Sequence, residues 1–301
     1  MNKTTLFTKP CNENIRNEIK KLITDSYFFV NTEVIGKSTL GRPIDCYKIG
    51  NQKKKVLFCG AFHGMEWITS LVLYKLIINI CDSIINHKKI QNEKLWQYFS
   101  NTSLVIIPCV NPDGVEICIN GSKAGKGFES YIDYISQGDT SSWQANAMGV
   151  DINHNFNAEW YKLRDFERAS GINEPCAGRY GGFFPESEQE TKAITRLLRG
   201  IPVDMVISFH SQGEEIFYEY GNNTPEKAYT IAGVLSAVSG YRLVKNEGLY
   251  SSGGLKDWFI EEFRKPAFTI EVGKGENPLP LSEFDDIYNK IQTLLLMGLI
   301  L

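Results

Sequence analysis

"FCGAFHGMEWITS", residues 58–70, decides how this chain is read. The apolar run that enters it, Val56 to Phe62, stops at His63, and Glu66 follows three positions later. Beyond them Trp67, Ile68, Leu71, Val72, Leu76, Ile77 and Ile80 recur every three to four positions. A short continuous apolar run fits a strand buried on both faces, and the 3.6-residue period fits a helix. The stretch is therefore a strand-to-helix corner that carries a histidine and a glutamate. Taken alone, an HxxE pair is weak evidence for a metal, because such pairs are common in surface chemistry.

Working outward, three more runs share the character of the first: "SLVIIPCV" (103–110), "DMVISF" (204–209) and "AFTIEV" (267–272). Helical patterns separate them. "PESEQETKAITRLLRG" predicts a helix in which Ser187 and Glu190 form a capping box, Ala193, Ile194, Leu197 and Leu198 face the core, and Gly200 closes the end. Strands alternating with helices predict one α/β domain over residues 1–301: a mixed, mostly parallel twisted sheet flanked by helices, with residues 1–30 as an N-terminal helical segment leading into it. The stretch from Asn111 to Pro185 departs from this rhythm, being rich in Gly, Ser, Asn and aromatic residues with little sustained periodicity. Long excursions from a rigid scaffold tend to carry binding residues.

Charge narrows the partners. With 32 basic against 35 acidic residues and a net charge of -3, the chain offers no polybasic surface for nucleic acid or membrane. Cysteines at 11, 46, 59, 81, 109, 118 and 176 are scattered, three of them within apolar runs, which fits reduced thiols rather than a disulfide framework. The N-terminus shows no signal-peptide pattern, and the C-terminal "TLLLMGLIL" is shorter than the ~20 apolar residues a span requires. A cytoplasmic protein is expected.

Position strengthens the HxxE pair. His63 would emerge at the carboxyl end of a strand, the edge where open α/β sheets bind ligands. Of four histidines (63, 87, 154, 210), His210 also ends a strand-like run, "MVISFH", and Glu271 lies near the end of another, "AFTIEV". Two imidazoles and a carboxylate form a catalytic zinc set with one position left open, and a second carboxylate beside it can serve as general base. The third ligand follows Glu66 by 144 residues, which sets the pattern apart from the compact HExxH helix. Cys59, four positions before His63 in mid-strand, is no fourth ligand.

These residues stand within blocks that resemble the zinc carboxypeptidases of the carboxypeptidase A superfamily over nearly the whole chain. The blocks are "GKSTLGRPIDCYKIG", "HGMEWI", "NPDG" (111–114), "GVDINHNF" (149–156), "PESEQET", "SFHS", "GGLKDW" and "FTIEVG". The resemblance implies a carboxypeptidase A-like fold, one zinc ion per chain held by His63, Glu66 and His210, and Glu271 as the carboxylate that activates the attacking water. It further implies that Asn153 contacts substrate and that Tyr250 corresponds to the family's mobile active-site tyrosine, although the spacing from Tyr250 to "SGG" differs by one residue.

The departures bear on substrate. Where the digestive enzymes carry arginines that clamp the terminal carboxylate and support the oxyanion, this chain has Met65, Gln144 and His154. None supplies a bidentate guanidinium fork, so an ordinary C-terminal carboxylate loses its usual partner unless Arg164 or Arg179 restores the charge from the long excursion. The stretch "KDWFIEEFRKPAFTIEVGKGENPLPLSEF" resembles the bacterial γ-D-glutamyl-diaminopimelate peptidases of the same superfamily. The expected function is zinc-dependent hydrolysis of an amide in a muropeptide, with Gln144, Asn153, His154 and Tyr250 on the substrate side. Trimming of ordinary peptides, deacylation of a small amino acid and an inactive peptide-binding module are the alternatives.

Overall fold

The four apolar runs form four neighbouring parallel strands at the centre of one sheet: β3 (Lys54–Gly60), β4 (Thr102–Ile107), β5 (Met205–His210) and β8 (Ala267–Glu271). The computed structural model describes residues 3–87, 89, 97, 99, 101–245 and 253–301. The remaining strands are β1 (Val30–Lys37), β2 (Pro43–Ile49), β6 (Glu215–Phe217) and β7 (Arg242–Val244), giving the order β1-β2-β4-β3-β5-β8-β6-β7. β1 and β2 extend one side antiparallel, and β6 joins β8 antiparallel on the other. The sheet is mixed with a parallel centre, as expected.

Alternation along the central strands divides the core in two. Val56, Phe58, Leu104, Ile106, Ile207, Phe209, Phe268 and Ile270 face α1 (Glu13–Ser26), α2 (Ile68–Asn86), α7 (Glu226–Ser239) and α9 (Phe284–Ile300). Leu57, Cys59, Val105, Ile107, Val206 and Ala267 face α6 (Gln189–Gly200) and α8 (Leu255–Phe263). A period of two therefore buries both faces of the sheet, which is why these strands read as unbroken apolar runs. Phe58 is fully buried and meets α9 where Gly298 lets the helix close in: a Cβ at Gly298 would lie 2.9 Å from Phe58 Cζ. Phe58→Ala would cost about 3–5 kcal/mol by leaving that contact empty. α2 is apolar and long enough to cross a bilayer, but 72% of its most apolar window is buried within the protein, so its hydropathy is that of a core helix.

Two expectations are corrected. The excursion after β4 contains three α-helices among the described residues: α3 (Pro112–Asn120), α4 (Glu129–Ser136) and α5 (Trp160–Ala169). Each is ten residues or shorter, too short to display a repeating period, and the start of α3 is set by local chemistry, with Asn111 Oδ1 accepting from the Gly114 N–H and Pro112 in the first turn. The capping box of α6 does not form. Ser187 Oγ accepts from Asn155 Nδ2 at 2.9 Å and bonds Glu188, while Glu190 turns into the core to accept from the Thr39 N–H at 3.1 Å. α6 then begins at Gln189 after a Glu188 that makes no side-chain cap, and it ends at Gly200 with Ile201 extended rather than on a left-handed glycine. Tertiary bonds to Asn155 and Thr39 override the local signal.

Candidate metal centre and its cavity

β3 delivers its chain through Ala61 and Phe62 to His63, and a single 3-10 turn, Gly64–Glu66, returns Glu66 beneath it. Backbone packing fixes this turn. A Cβ on Gly64 would lie 2.2 Å from the Gly114 carbonyl oxygen, and one on Gly114 would lie 2.4 Å from the Ala145 carbonyl oxygen, so two glycines let three backbones touch. The Gly64 and Met65 N–H groups donate to the Gln144 and Trp143 carbonyls at 3.1 and 2.8 Å. The Met65 position thus serves as a backbone splice to the excursion.

His210 closes β5, and the register β5–β8 sets it directly beside Glu271. His63 Nδ1 and His210 Nδ1 converge on one carboxylate, at 2.8 Å from Glu66 Oε1 and 3.0 Å from Glu66 Oε2. The ligand atoms of His63, Glu66 and His210 lie within 4.8 Å of one another, and all three residues are buried. His63 Nε2 lies 3.1 Å from Asp151 Oδ1, a contact that orients the ring with Nδ1 inward. The Phe62 ring stacks on His210 at 5.2 Å, and His210 Nε2 has no partner among the described residues.

The charges ask for a cation. Burial would lower the His63 pKa, but Glu66 and Asp151 outweigh it and raise it well above the usual imidazole value. Burial would raise the Glu66 carboxyl, but His63 and His210 hold it below the usual carboxylate range. Burial, and then the Glu66 charge, push Glu271 well above its ordinary value. Two imidazole nitrogens directed at one buried carboxylate, with a second carboxyl held reluctant to ionise, suit a dication with nitrogen and oxygen ligands. The donor set is that of a catalytic zinc with three protein ligands.

Beside the centre, His63 forms the rim of a cavity of ≈ 250 Å³ whose polar wall includes Gln144, Asp151, His154, Glu167 and Arg179. Leu163, Phe166 and Ile172 supply its apolar side. Asp151 is the link between centre and wall: Oδ1 faces His63 and accepts from the Asn153 N–H at 3.0 Å, while Oδ2 accepts from the Arg179 N–H at 3.2 Å. His154 Nδ1 lies 2.8 Å from Glu167 Oε1 and 3.0 Å from the Arg179 carbonyl. Burial would lower its pKa, but Asp151 and Glu167 raise it. Burial would raise Asp151, but His63 and His154 hold it below the usual carboxylate range.

Of the residues expected on the substrate side, Gln144 and His154 line this cavity. Asn153 does not line it, because its Oδ1 accepts from the Leu255 N–H at 3.2 Å and secures the start of α8. Tyr250 lies outside the described residues. Arg164 is spent: it is buried, pairs with Glu167 and stacks over Tyr180 with Cζ 4.4 Å from the ring centroid. Sequence reasoning passed over Asp151 and Glu167. Asp151 could have been found as the acid inside "GVDINHNF", two positions before Asn153, whereas Glu167 sits in an ordinary charged helix with no distinguishing signal.

The residue pattern of the zinc carboxypeptidase family matches residues 15–293. A γ-D-glutamyl-L-diamino acid endopeptidase of Lysinibacillus sphaericus is 36% identical over 288 residues, covering 95% of this chain and 71% of that protein. Rat carboxypeptidase B is 26% identical over 282 residues, covering 86% of this chain and 62% of that one. Among solved structures, thrombin activatable fibrinolysis inhibitor superposes with a TM-score of 0.80 at 20% identity, covering 98% of this chain and 74% of that chain. The murein-tripeptide amidase of Escherichia coli O157 gives 0.54 at 21% identity, covering 88% and 91%. At these identities the two structures speak for the fold.

Proposed function

This chain belongs to the zinc carboxypeptidase family and is a zinc metallopeptidase, and from that premise we propose that it hydrolyses an amide bond in peptidoglycan-type stem peptides, the γ-D-glutamyl-diamino acid bond. The observation that carries the chemistry is the shared carboxylate of Glu66 between two buried imidazoles, with Glu271 set beside His210 by strand register. What supports the substrate is the 36% identity to the γ-D-glutamyl-L-diamino acid endopeptidase, joined to the absence of arginine at positions 65, 144 and 154.

We assign His63, Glu66 and His210 as the zinc ligands and Glu271 as the general base. Zinc held there supplies a Lewis acid that polarises a carbonyl and acidifies water. Glu271 takes the proton of the attacking water and passes it to the departing amine, a task that its place beside His210 on the neighbouring strand suits. Asp151 holds the His63 ring in its ligating orientation. Gln144 and His154 bound the space for the leaving residue, and His154, matched to Glu167, presents a compensated charge. We place the reaction in the cytoplasm; seven free cysteines without a disulfide among the described residues support a reducing compartment.

The test is mass spectrometry of products from a muropeptide mixture, with Glu271→Gln as control. The proposal requires release of diamino acid fragments by the wild type and a fall of about 10²- to 10⁴-fold in the variant with its zinc retained. C-terminal trimming of ordinary peptides without muropeptide cleavage would replace this reading with a general carboxypeptidase, and an undiminished Glu271→Gln rate would remove the assigned base.

A further inference from the structure

The cavity beside the metal centre contains a cation that the chemistry above does not use. Around it, Asp151 is engaged by His63, and Glu167 is shared between His154 and Arg164. Arg179 lines the same cavity, is exposed, and makes no ion pair among the described residues. Its backbone is fastened to the site at both ends: the N–H donates to Asp151 Oδ2 at 3.2 Å, and the carbonyl lies 3.0 Å from His154 Nδ1. Arg179 sits at φ 68, in the left-handed region that glycine occupies freely and residues with a Cβ occupy at a cost. Strain of this kind persists where neighbours over-determine it, and it concentrates at binding sites. The residue before it is Gly178, where a Cβ would lie 2.2 Å from Gln144 Oε1, so the loop packs against the Gln144 amide just as it presents the arginine.

We propose that Arg179 is the carboxylate-binding residue of this cavity, supplying the fixed charge that positions 65, 144 and 154 lack. Resting on the functional reading above, its partner is a carboxylate beside the scissile amide. A γ-linked glutamyl residue keeps its α-carboxylate free next to that amide, and a diaminopimelyl residue adds a carboxylate on its side chain; an internal bond between ordinary residues carries neither. A guanidinium pairs with either one bidentately, and the apolar wall of Leu163, Phe166 and Ile172 accommodates the intervening methylenes.

Four synthetic peptides distinguish the two sources: the γ-D-glutamyl α-carboxylate free or amidated, followed by meso-diaminopimelate or by L-lysine. kcat and KM are measured for the zinc-loaded wild type, Arg179→Gln and Arg179→Lys, with zinc content and melting temperature confirming each fold. Arg179→Gln should lose about 10- to 100-fold in kcat/KM, chiefly through KM, on peptides bearing the recognised carboxylate, with partial recovery in Arg179→Lys. That loss should disappear on peptides from which the carboxylate has been removed. Disappearance on amidation assigns the glutamyl α-carboxylate, and disappearance with lysine assigns the diamino acid. Equal losses on all four peptides overturn the proposal. Should the wild type cleave none of them yet trim ordinary peptides, the functional reading fails, and Arg179 is judged on peptides with acid or amide C-termini: a loss confined to the acids upholds it, and equal losses overturn it. No turnover on any peptide overturns both.

Discussion

His63, His210 and Glu271 stand at or just beyond the ends of three adjacent parallel strands, whereas Gln144, Asp151, His154 and Arg179 hang from the long excursion between β4 and β5. In the first region the backbone ladder does the placing: pairing of His210 with Glu271 leaves no freedom of register, since a one-residue slip would send every side chain of β8 to the opposite face. In the second region side chains do the placing, through Asp151 to the Arg179 N–H, His154 to Glu167 and the Arg179 carbonyl, and Asn155 to the Gly181 and Phe184 carbonyls. On the proposed reading, chemistry is mounted on the part of the fold least able to drift, and recognition on the part a few substitutions can reshape. Damage to the ligand set should accordingly abolish turnover at constant fold, while damage to the wall should change which peptides are cleaved.

The largest expected effect comes from removing the metal. Dialysis against a chelator should abolish hydrolysis, and one equivalent of zinc should restore it, because the proposed ligands His63, Glu66 and His210 and the proposed base Glu271 would have no other route to acidify water. Zinc should also raise the melting temperature; binding at a thousand times the dissociation constant stabilises by about 4 kcal/mol. Full activity of a metal-free preparation, verified by elemental analysis, would dissolve the distinction between the two regions.

Legibility in the sequence follows the same divide. Runs such as "VLFCGAF" and "DMVISF" announced β3 and β5 because burial on both faces requires unbroken apolar sequence, and their endpoints led straight to His63 and His210. β6 and β7 are three residues each, and β1 carries the mixed polarity of an edge, so neither pattern rose above its surroundings. α4 and α5 were lost for the same reason of length. On the wall, Gln144 and His154 stood out because arginine was missing there, but the partners that give them meaning, Asp151, Glu167 and Arg179, come together through side-chain bonds spanning 13 to 28 residues, which no local period encodes.

Asp151 belongs to both regions and gives the sharper test. Asp151→Asn keeps the shape but can leave the His63 ring in the wrong tautomer and weakens the hold on the Arg179 N–H, so it should cost about 10- to 100-fold in zinc affinity or turnover. Because it touches the wall, it should also raise KM for the preferred peptide, an effect that Glu271→Gln should not share. Zinc titration alongside steady-state kinetics separates the two contributions. A loss confined to kcat would mean that the wall stands independently of the centre.

The smallest effect on turnover, and one read in stability, lies behind the wall at Glu190. This residue is fully buried at the start of α6, where it accepts from the Thr39 N–H and from Asn146 Nδ2 at 3.3 Å, while Asn146 Oδ1 accepts from the Met148 and Val150 N–H groups and so holds the excursion in place. Burial, reinforced by the Asp113 and Glu188 charges, pushes the Glu190 carboxyl up to about 7. The folded protein therefore binds a proton that the unfolded chain has released between pH 4.5 and 7, and over that window the Glu190 contribution to stability falls as pH rises. From 4.5 to about 7, at 1.36 kcal/mol per pH unit, the loss is about 3 kcal/mol. Glu190→Gln is neutral throughout, so its stability relative to wild type should grow between pH 5 and about pH 7 and level off above that. Urea unfolding of the zinc-loaded proteins across that range measures the difference, and a gap that does not change with pH would show that the excursion is anchored without a proton on Glu190.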